Sequence, residues 1–315
     1  MDALTIHLFG DFRVQIDANP PVRFPTRKSK SLLALIALKG DRPALRTSLA
    51  GELWPDVPEE RAQRALNTEV WRLRTALRDG GGDPQRILDT RFDTIGLMAK
   101  APIWVDAVAF EQATGNIARL DAQAAADVPF ADALADAVGL YRGDLLEGIY
   151  DEWCLVHREA YRARLIAVLE ALVRIRMDER QWDQAIAYGR QLLSVDPLLE
   201  HIHRALMRSQ YIRGDRAAAL KQYETCVTVL GRELGVGPMD DTRQAYETIM
   251  AATPWAPRVV VKDEPPSPPS LASLEEISLA ATPADKIDFA LSNLHTAKTW
   301  LEDANRTLRE PAAPA

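Results

Sequence analysis

Strand-like and helix-like hydrophobic periods are segregated along this chain: alternation is confined to about the first 105 residues, and from Asp106 onward apolar residues recur at helical spacing. Residues 4 to 16, LTIHLFGDFRVQI, alternate around a Gly10-Asp11 break, and Asn19-Pro20-Pro21 turns into a further short strand, VRF at 22 to 24. A small antiparallel sheet is therefore expected at the start. From Ser29 the period becomes helical: SKSLLALIALKG places Leu32, Leu33, Leu35, Ile36 and Leu38 on an apolar face and stops at Gly40. Thr47 reads as the N-cap of the next helix, SLAGELW, which Pro55 ends. A third helix spans about Glu59 to Arg78, closed by the GGGDP at 80 to 84. RILDTRFDTIGLMA then supplies two short β runs around Arg91-Phe92-Asp93.

Sheet, three helices and hairpin, in that order, describe a winged helix-turn-helix. The expected fold is mostly α with a small β component, with residues 1–105 as a winged-helix DNA-binding domain and 106–253 as an all-α helical-repeat domain. The second assignment rests on a self-match. Trp182, Ala185, Ile186 and Leu193 map onto Arg216, Ala219, Leu220 and Val227, each 34 positions later. That period is characteristic of tetratricopeptide (TPR) repeats, whose helix pairs stack to share a core. Residues 254–281 are proline-rich and read as an extended linker. Thr282-Pro283-Ala284-Asp285 is a strong helix start, and the stripe Ile287, Leu291, Leu294, Leu301 and Leu308 makes 282–310 a C-terminal amphipathic helix, docked on its own chain or on a partner helix.

The net charge of −7 conceals a division: residues 1–105 carry 16 Lys+Arg against 13 Asp+Glu, and the remainder 22 against 32. Any polyanion partner is thus expected at the N-terminal end. No run approaches the ~18 apolar residues of a membrane span, and the acidic start lacks a signal peptide's basic flank, so a cytoplasmic protein is expected. Cys154 and Cys226, in apolar helical surroundings, read as reduced core residues.

The third helix carries the sharpest signal. At 100° per residue, Leu66, Val70, Leu73 and Leu77 form a buried seam. The opposite face presents Arg61, Arg64, Thr68, Trp71, Thr75 and Arg78, edged by Arg72 on one side and Asn67 and Arg74 on the other. Arginine can pair with guanine O6 and N7, asparagine with adenine, and threonine can offer a hydroxyl or a methyl, so Arg61, Arg64, Asn67, Thr68, Arg72 and Thr75 are expected to read bases. Trp71 and Arg78 are assigned to the DNA backbone. Arg27, Lys28 and Lys30 at the first helix, and Arg46 and Thr47 at the second, are placed to grip phosphate. Arg91, in the wing, is the expected minor-groove contact.

Catalytic anchors are missing: there is no GxxxxGK[ST], HExxH or GxSxG. His201 and His203 would lie roughly 200° apart on a helix, which disfavours a shared metal. Asp132, Asp136, Asp144 and Glu147 are spread along helices and read as solvated or capping groups. Neither enzyme activity nor a cofactor or metal is expected.

LTIHLFGDFRV, KSKSLLALIAL, LAGELWPD and ALNTEVWRLRTAL resemble the OmpR-like winged helix of the SARP-type bacterial activators. VDAVAFE, LYRGDLLEG, DPLLEHIHRALM, GDRAAALKQYE and LGRELGVGP resemble their bacterial transcriptional activation domain, so that the likeness covers about residues 4 to 250. The wing departs from the family, ending in Thr-Ile-Gly-Leu-Met where a Gly-Tyr pair is usual. The resemblance implies binding to double-stranded promoter DNA at direct repeats, by two protomers side by side, with recruitment of RNA polymerase. It assigns base recognition to Arg61, Arg64, Thr68, Arg72 and Thr75. Two other readings stand beside it: a protein–protein adaptor using TPR-like repeats, which would carry acids or apolar groups on the outer face of residues 61–78, and a regulator whose helical domain senses a small molecule. Tyr141, Trp153, Tyr161, Trp182 and Tyr188 would line such a pocket or fill the core.

Overall fold

A computed structural model describes residues 3–99, 101–115 and 128–251; the linker at 254–281 and the amphipathic segment 282–310 lie outside the described residues. The described residues pack as two compact units, divided between Leu206 and Met207.

The first unit begins with β1 (Leu4–His7) and β2 (Arg13–Ile16), paired antiparallel with Leu4 opposite Ile16. Leu4, Ile6, Val14 and Ile16 face the core, as the alternation requires. The expected strand at 22–24 does not form. Pro20, Pro21 and Pro25 bracket the segment with positions that have no N–H to add to a ladder, and a single bond, Val22 N donating to Val14 O at 2.8 Å, ties it to β2 instead. Helix α1 (Arg27–Leu38) starts two residues before Ser29 because Thr26 and Ser29 form a reciprocal capping box: Ser29 N donates to Thr26 Oγ1 at 3.0 Å, and Thr26 N to Ser29 Oγ at 3.3 Å.

Strand β3 (Ala44–Leu45) leads without a break into α2 (Arg46–Leu53). Thr47 is therefore not the N-cap: Leu45 holds that position without a side-chain bond, and Arg46 N donates to Asp93 O at 2.8 Å. The wing thus takes over part of the capping role. Helix α3 (Glu59–Asp79) follows, then the single turn α4 (Pro84–Ile87), begun by an Asp83 cap and Pro84. Strands β4 (Leu88–Asp89) and β5 (Thr94–Leu97) make the wing, with β5 between β4 and β3. Strand β6 (Ile103–Val105) then returns to lie parallel to β1, completing the first sheet in the order β2-β1-β6.

The remainder is helical: α5 (Asp106–Thr114), α6 (Val128–Leu140), α7 (Glu152–Asp178) and α8 (Trp182–Val195) belong to the first unit, and α9 (Glu200–Ile212) begins there. In the second unit α10 (Arg216–Leu234) and α11 (Asp240–Ala251) pack around Met207, Ala219 and Ile249, with Tyr223 stacked on Tyr246 at 4.1 Å. Trp182 and Arg216 are the first residues of α8 and α10, so the 34-residue offset is a repeat of helix starts. Close packing inside the first of these pairs uses Gly189, where a Cβ would meet Leu206 Cδ2 at 2.7 Å. The architecture is a winged helix-turn-helix followed by a TPR-like all-α domain, as expected.

Within the first unit the sheet and the helices after it share one core. Phe9 packs against Phe110 of α5 (5.5 Å), Tyr141 (4.5 Å) and Tyr161 of α7 (5.5 Å). Trp153 and Tyr161 are buried in this core and Tyr141 and Tyr188 pack half-buried against it, while Trp182 is half-buried. The LYRGDLLEG segment extends the sheet edge: Leu146 N donates to Leu8 O at 2.7 Å and Gly10 N to Asp144 O at 2.9 Å. Asp106 fastens the same corner. Its buried carboxylate accepts from Leu8 N (2.8 Å), Phe9 N (3.1 Å) and Ala107 N (2.7 Å). Cys154 and Cys226 are free, buried thiols, and burial pushes the Cys154 thiol up.

Candidate nucleic-acid interface

Helix α3 is anchored by Leu66, Val70, Leu73 and Leu77, all buried, which fixes which of its side chains can reach a ligand. Arg61, Arg64, Asn67, Thr68, Trp71 and Arg78 are exposed, and Arg72 and Thr75 are half-buried. The only acid between Arg61 and Arg78 is Glu69, which is 6% exposed. Trp71 is 65% exposed.

The exposed groups differ in how far they are committed. Arg64 Nε donates to Glu60 O at 3.2 Å, and its guanidinium lies 3.9 Å from the Glu60 carboxylate, a surface pair that adds little. Thr68 and Thr75 donate to the carbonyls of Arg64 (3.2 Å) and Trp71 (3.1 Å), which leaves each hydroxyl oxygen able to accept. Asn67 accepts from Arg46 at 2.9 Å, so the second helix orients a side chain of the third. Arg72 donates to Glu69 at 2.6 Å, and the same carboxylate accepts from Thr26 Oγ1 at 2.6 Å. Arg72 is therefore pinned to the first helix through a buried acid.

The flanking cations divide in the same way. Arg27 donates to Gly148 O at 2.8 Å; Lys28 donates to Leu53 O at 2.7 Å, sits 3.4 Å from Asp151 and lies over the Trp54 ring. These contacts join the first helix to the segment preceding α7. Lys30 is half-buried, and Thr47 is exposed in the first turn of α2. Arg91 grips Asp89 with two bonds, at 2.9 and 2.6 Å, and this pairing holds the Asp89 carboxyl down at about 2.

Two groups outside the sequence-derived set shape the site. Glu69 reads as a break in a basic face until its burial is seen. Arg74 donates to Thr90 Oγ1 at the base of the wing tip, so helix and wing are joined directly. The Thr26 bond to Glu69 and the Arg74 bond to Thr90 do not follow from periodicity, because each joins α3 to another part of the chain, whereas Arg72 and Glu69 are an i,i+3 pair within the helix. The two histidines diverge: His201 pairs with Glu170 at 3.0 Å, and His203 bonds to Pro197 O at 3.0 Å.

The structure thus presents a winged helix whose third helix carries no exposed acid between Arg61 and Arg78, followed by a TPR-like domain. Residues 105–250 match the model of the bacterial transcriptional activator domain. The chain is 25% identical over 234 residues to the regulatory protein AfsR of Streptomyces coelicolor, a match covering 72% of this chain and 22% of AfsR. It is 27% identical over 241 residues to the transcriptional regulatory protein MoaR1 of Mycobacterium tuberculosis, covering 73% of this chain and 74% of MoaR1. Among solved structures, Mycobacterium tuberculosis EmbR in complex with a low-affinity phosphopeptide superposes with a TM-score of 0.62 at 23% identity, over 81% of this chain and 67% of that one, a likeness of fold. In these matches the chain resembles the SARP-type family of bacterial transcriptional regulators. It spans about a fifth of the length of AfsR and about three quarters of MoaR1.

Proposed function

We propose that the chain binds double-stranded promoter DNA with the outer face of α3 in the major groove and activates transcription by recruiting RNA polymerase. The observation that carries this is the face itself: from Arg61 to Arg78 every exposed side chain is basic, neutral polar or aromatic, and the one acid is buried. An adaptor that had lost DNA would gain nothing from keeping acids off that face.

Arg61, Arg64, Thr68 and Thr75 are the primary base-reading groups, with Asn67 held in place by Arg46 and Arg72 by Glu69. Arg78, Trp71, Lys30 and Thr47 contact the backbone. Arg27 and Lys28 engage phosphate only by exchanging their present partners, so their part is smaller. Two protomers side by side on a direct repeat, each presenting its helical domain to the polymerase, complete the reading, and they rest on the family resemblance. The test is selection of sheared genomic DNA by the purified full chain, followed by sequencing. Enrichment of a restricted fragment set sharing a repeated motif is the expected result; recovery indistinguishable from the input overturns the proposal.

A further inference from the structure

Phe92 is the one large apolar side chain among the described residues that stands almost wholly in water, 93% exposed, at the tip of the wing. Its backbone is left-handed, φ +55°, a conformation that a bulky residue other than glycine adopts at a cost in energy. Hydration alone gives no reason to keep a phenyl ring there, since asparagine or glycine would suit the turn better. Arg91 beside it is committed to Asp89 through two bonds.

The tip is also held at a fixed place relative to α3. On one side Thr90 accepts from Arg74 of α3. On the other, Asp93 O accepts from Arg46 N at 2.8 Å, and the Arg46 side chain bonds Asn67 of α3 at 2.9 Å. Phe92 lies between these two tethers, so any duplex seated on the α3 face meets the ring at a defined offset.

We propose that Phe92 is the wing's DNA-contacting residue, pressing its ring against the sugar walls of the minor groove beside the major groove that α3 occupies. The inference rests on the reading of α3 as the DNA-binding helix. Arg91 then positions the tip through Asp89, and the ring supplies an apolar contact of the kind minor-groove binders make with phenylalanine, leucine or proline.

The test uses the full chain and a fluorescently labelled pool of random-sequence duplexes, because a sugar-wall contact carries little base information. Phe92→Asn, which suits the left-handed turn, is expected to bind the pool about tenfold more weakly, with thermal unfolding no lower than wild type. Phe92→Leu should stay within about threefold, as a smaller apolar group fills the same place. The slope of log affinity against log salt should be unchanged in both, whereas Arg78→Ala, at an exposed position assigned to the DNA backbone, should weaken binding and show a shallower slope, by roughly 0.9 for the phosphate that is no longer neutralised. If Phe92→Asn binds like wild type while the arginine variant is weakened, the inference fails and the reading of α3 stands. A shallower salt slope in Phe92→Asn would also overturn it, by tracing the weakening to phosphates. If wild type itself does not bind the pool, both fail.

Discussion

Asp106 gathers three backbone N–H groups at one corner of the first unit. It caps the start of α5 and, through Leu8 N and Phe9 N, holds the end of β1 against it. Burial raises its carboxyl above the ordinary range, outweighing the three N–H donors and the nearby His7, which pull it down. Replacing it by asparagine leaves one acceptor oxygen and an NH2 group facing amide donors, so Asp106→Asn should cost about 1–3 kcal/mol of stability in urea unfolding. The pH dependence has a definite sign. A raised carboxyl means the folded chain holds the proton more tightly than the unfolded chain. That stabilisation is full below the ordinary value of 3.8 and is lost as pH rises through the folded value. The gap between wild type and Asp106→Asn should therefore widen as pH falls from neutral, and a narrowing gap would contradict the assignment. At this scale the sequence was least legible. Arg72 and Arg91 could be found by type, but their bonds to Glu69 and Asp89, which decide how free they are to reach DNA, depend on burial and on a turn that no period encodes.

Among the elements, α3 was fully legible: its seam, its length and its outer face follow from a 3.6-residue period and from glycines at its end. Three boundaries were not. The segment at 22–24 has strand-forming residues but is bracketed by prolines and makes only the Val22 bond to β2; α1 reaches back to Thr26 through two hydroxyls; and α2 begins without a side-chain cap because a strand and the wing supply its first partners. The first and third differences come from a bond made to another element, and the second from a local exchange of bonds between Thr26 and Ser29. The wing shows the same dependence. Gly96 in β5 lies against the loop that precedes β3, and a Cβ there would fall 2.9 Å from Pro43 Cα, a backbone atom that cannot swing aside. Gly96→Ala should destabilise the chain by about 1–3 kcal/mol by overpacking, measured as a drop in the urea midpoint at constant slope. A variant as stable as wild type would show that the wing stands clear of that loop.

For the whole molecule, the division of charge was visible in the sequence, and so was the change from mixed to helical pattern at Asp106. The interleaving at that junction was not. Phe9 lies among Phe110, Tyr141 and Tyr161, and the LYRGDLLEG segment bonds to the first strand's continuation, so the first compact unit runs through Leu206. One of the segments that carry the family resemblance, LYRGDLLEG, thus joins the winged helix to the helices after it. A winged helix built into the next domain's core presents α3 from a rigid base, which suits recognition that depends on register along a duplex. The central claim is that this face reads sequence. Its most direct test is the ratio of affinities of the full chain for a selected genomic fragment and for a random duplex, measured for wild type and for Arg61→Ala/Arg64→Ala, two exposed positions whose replacement leaves the buried seam intact. The account predicts that the ratio collapses by about tenfold or more, at roughly 1–3 kcal/mol per base contact, with unfolding unchanged. An undiminished ratio would contradict it and place sequence recognition on another face of the protein.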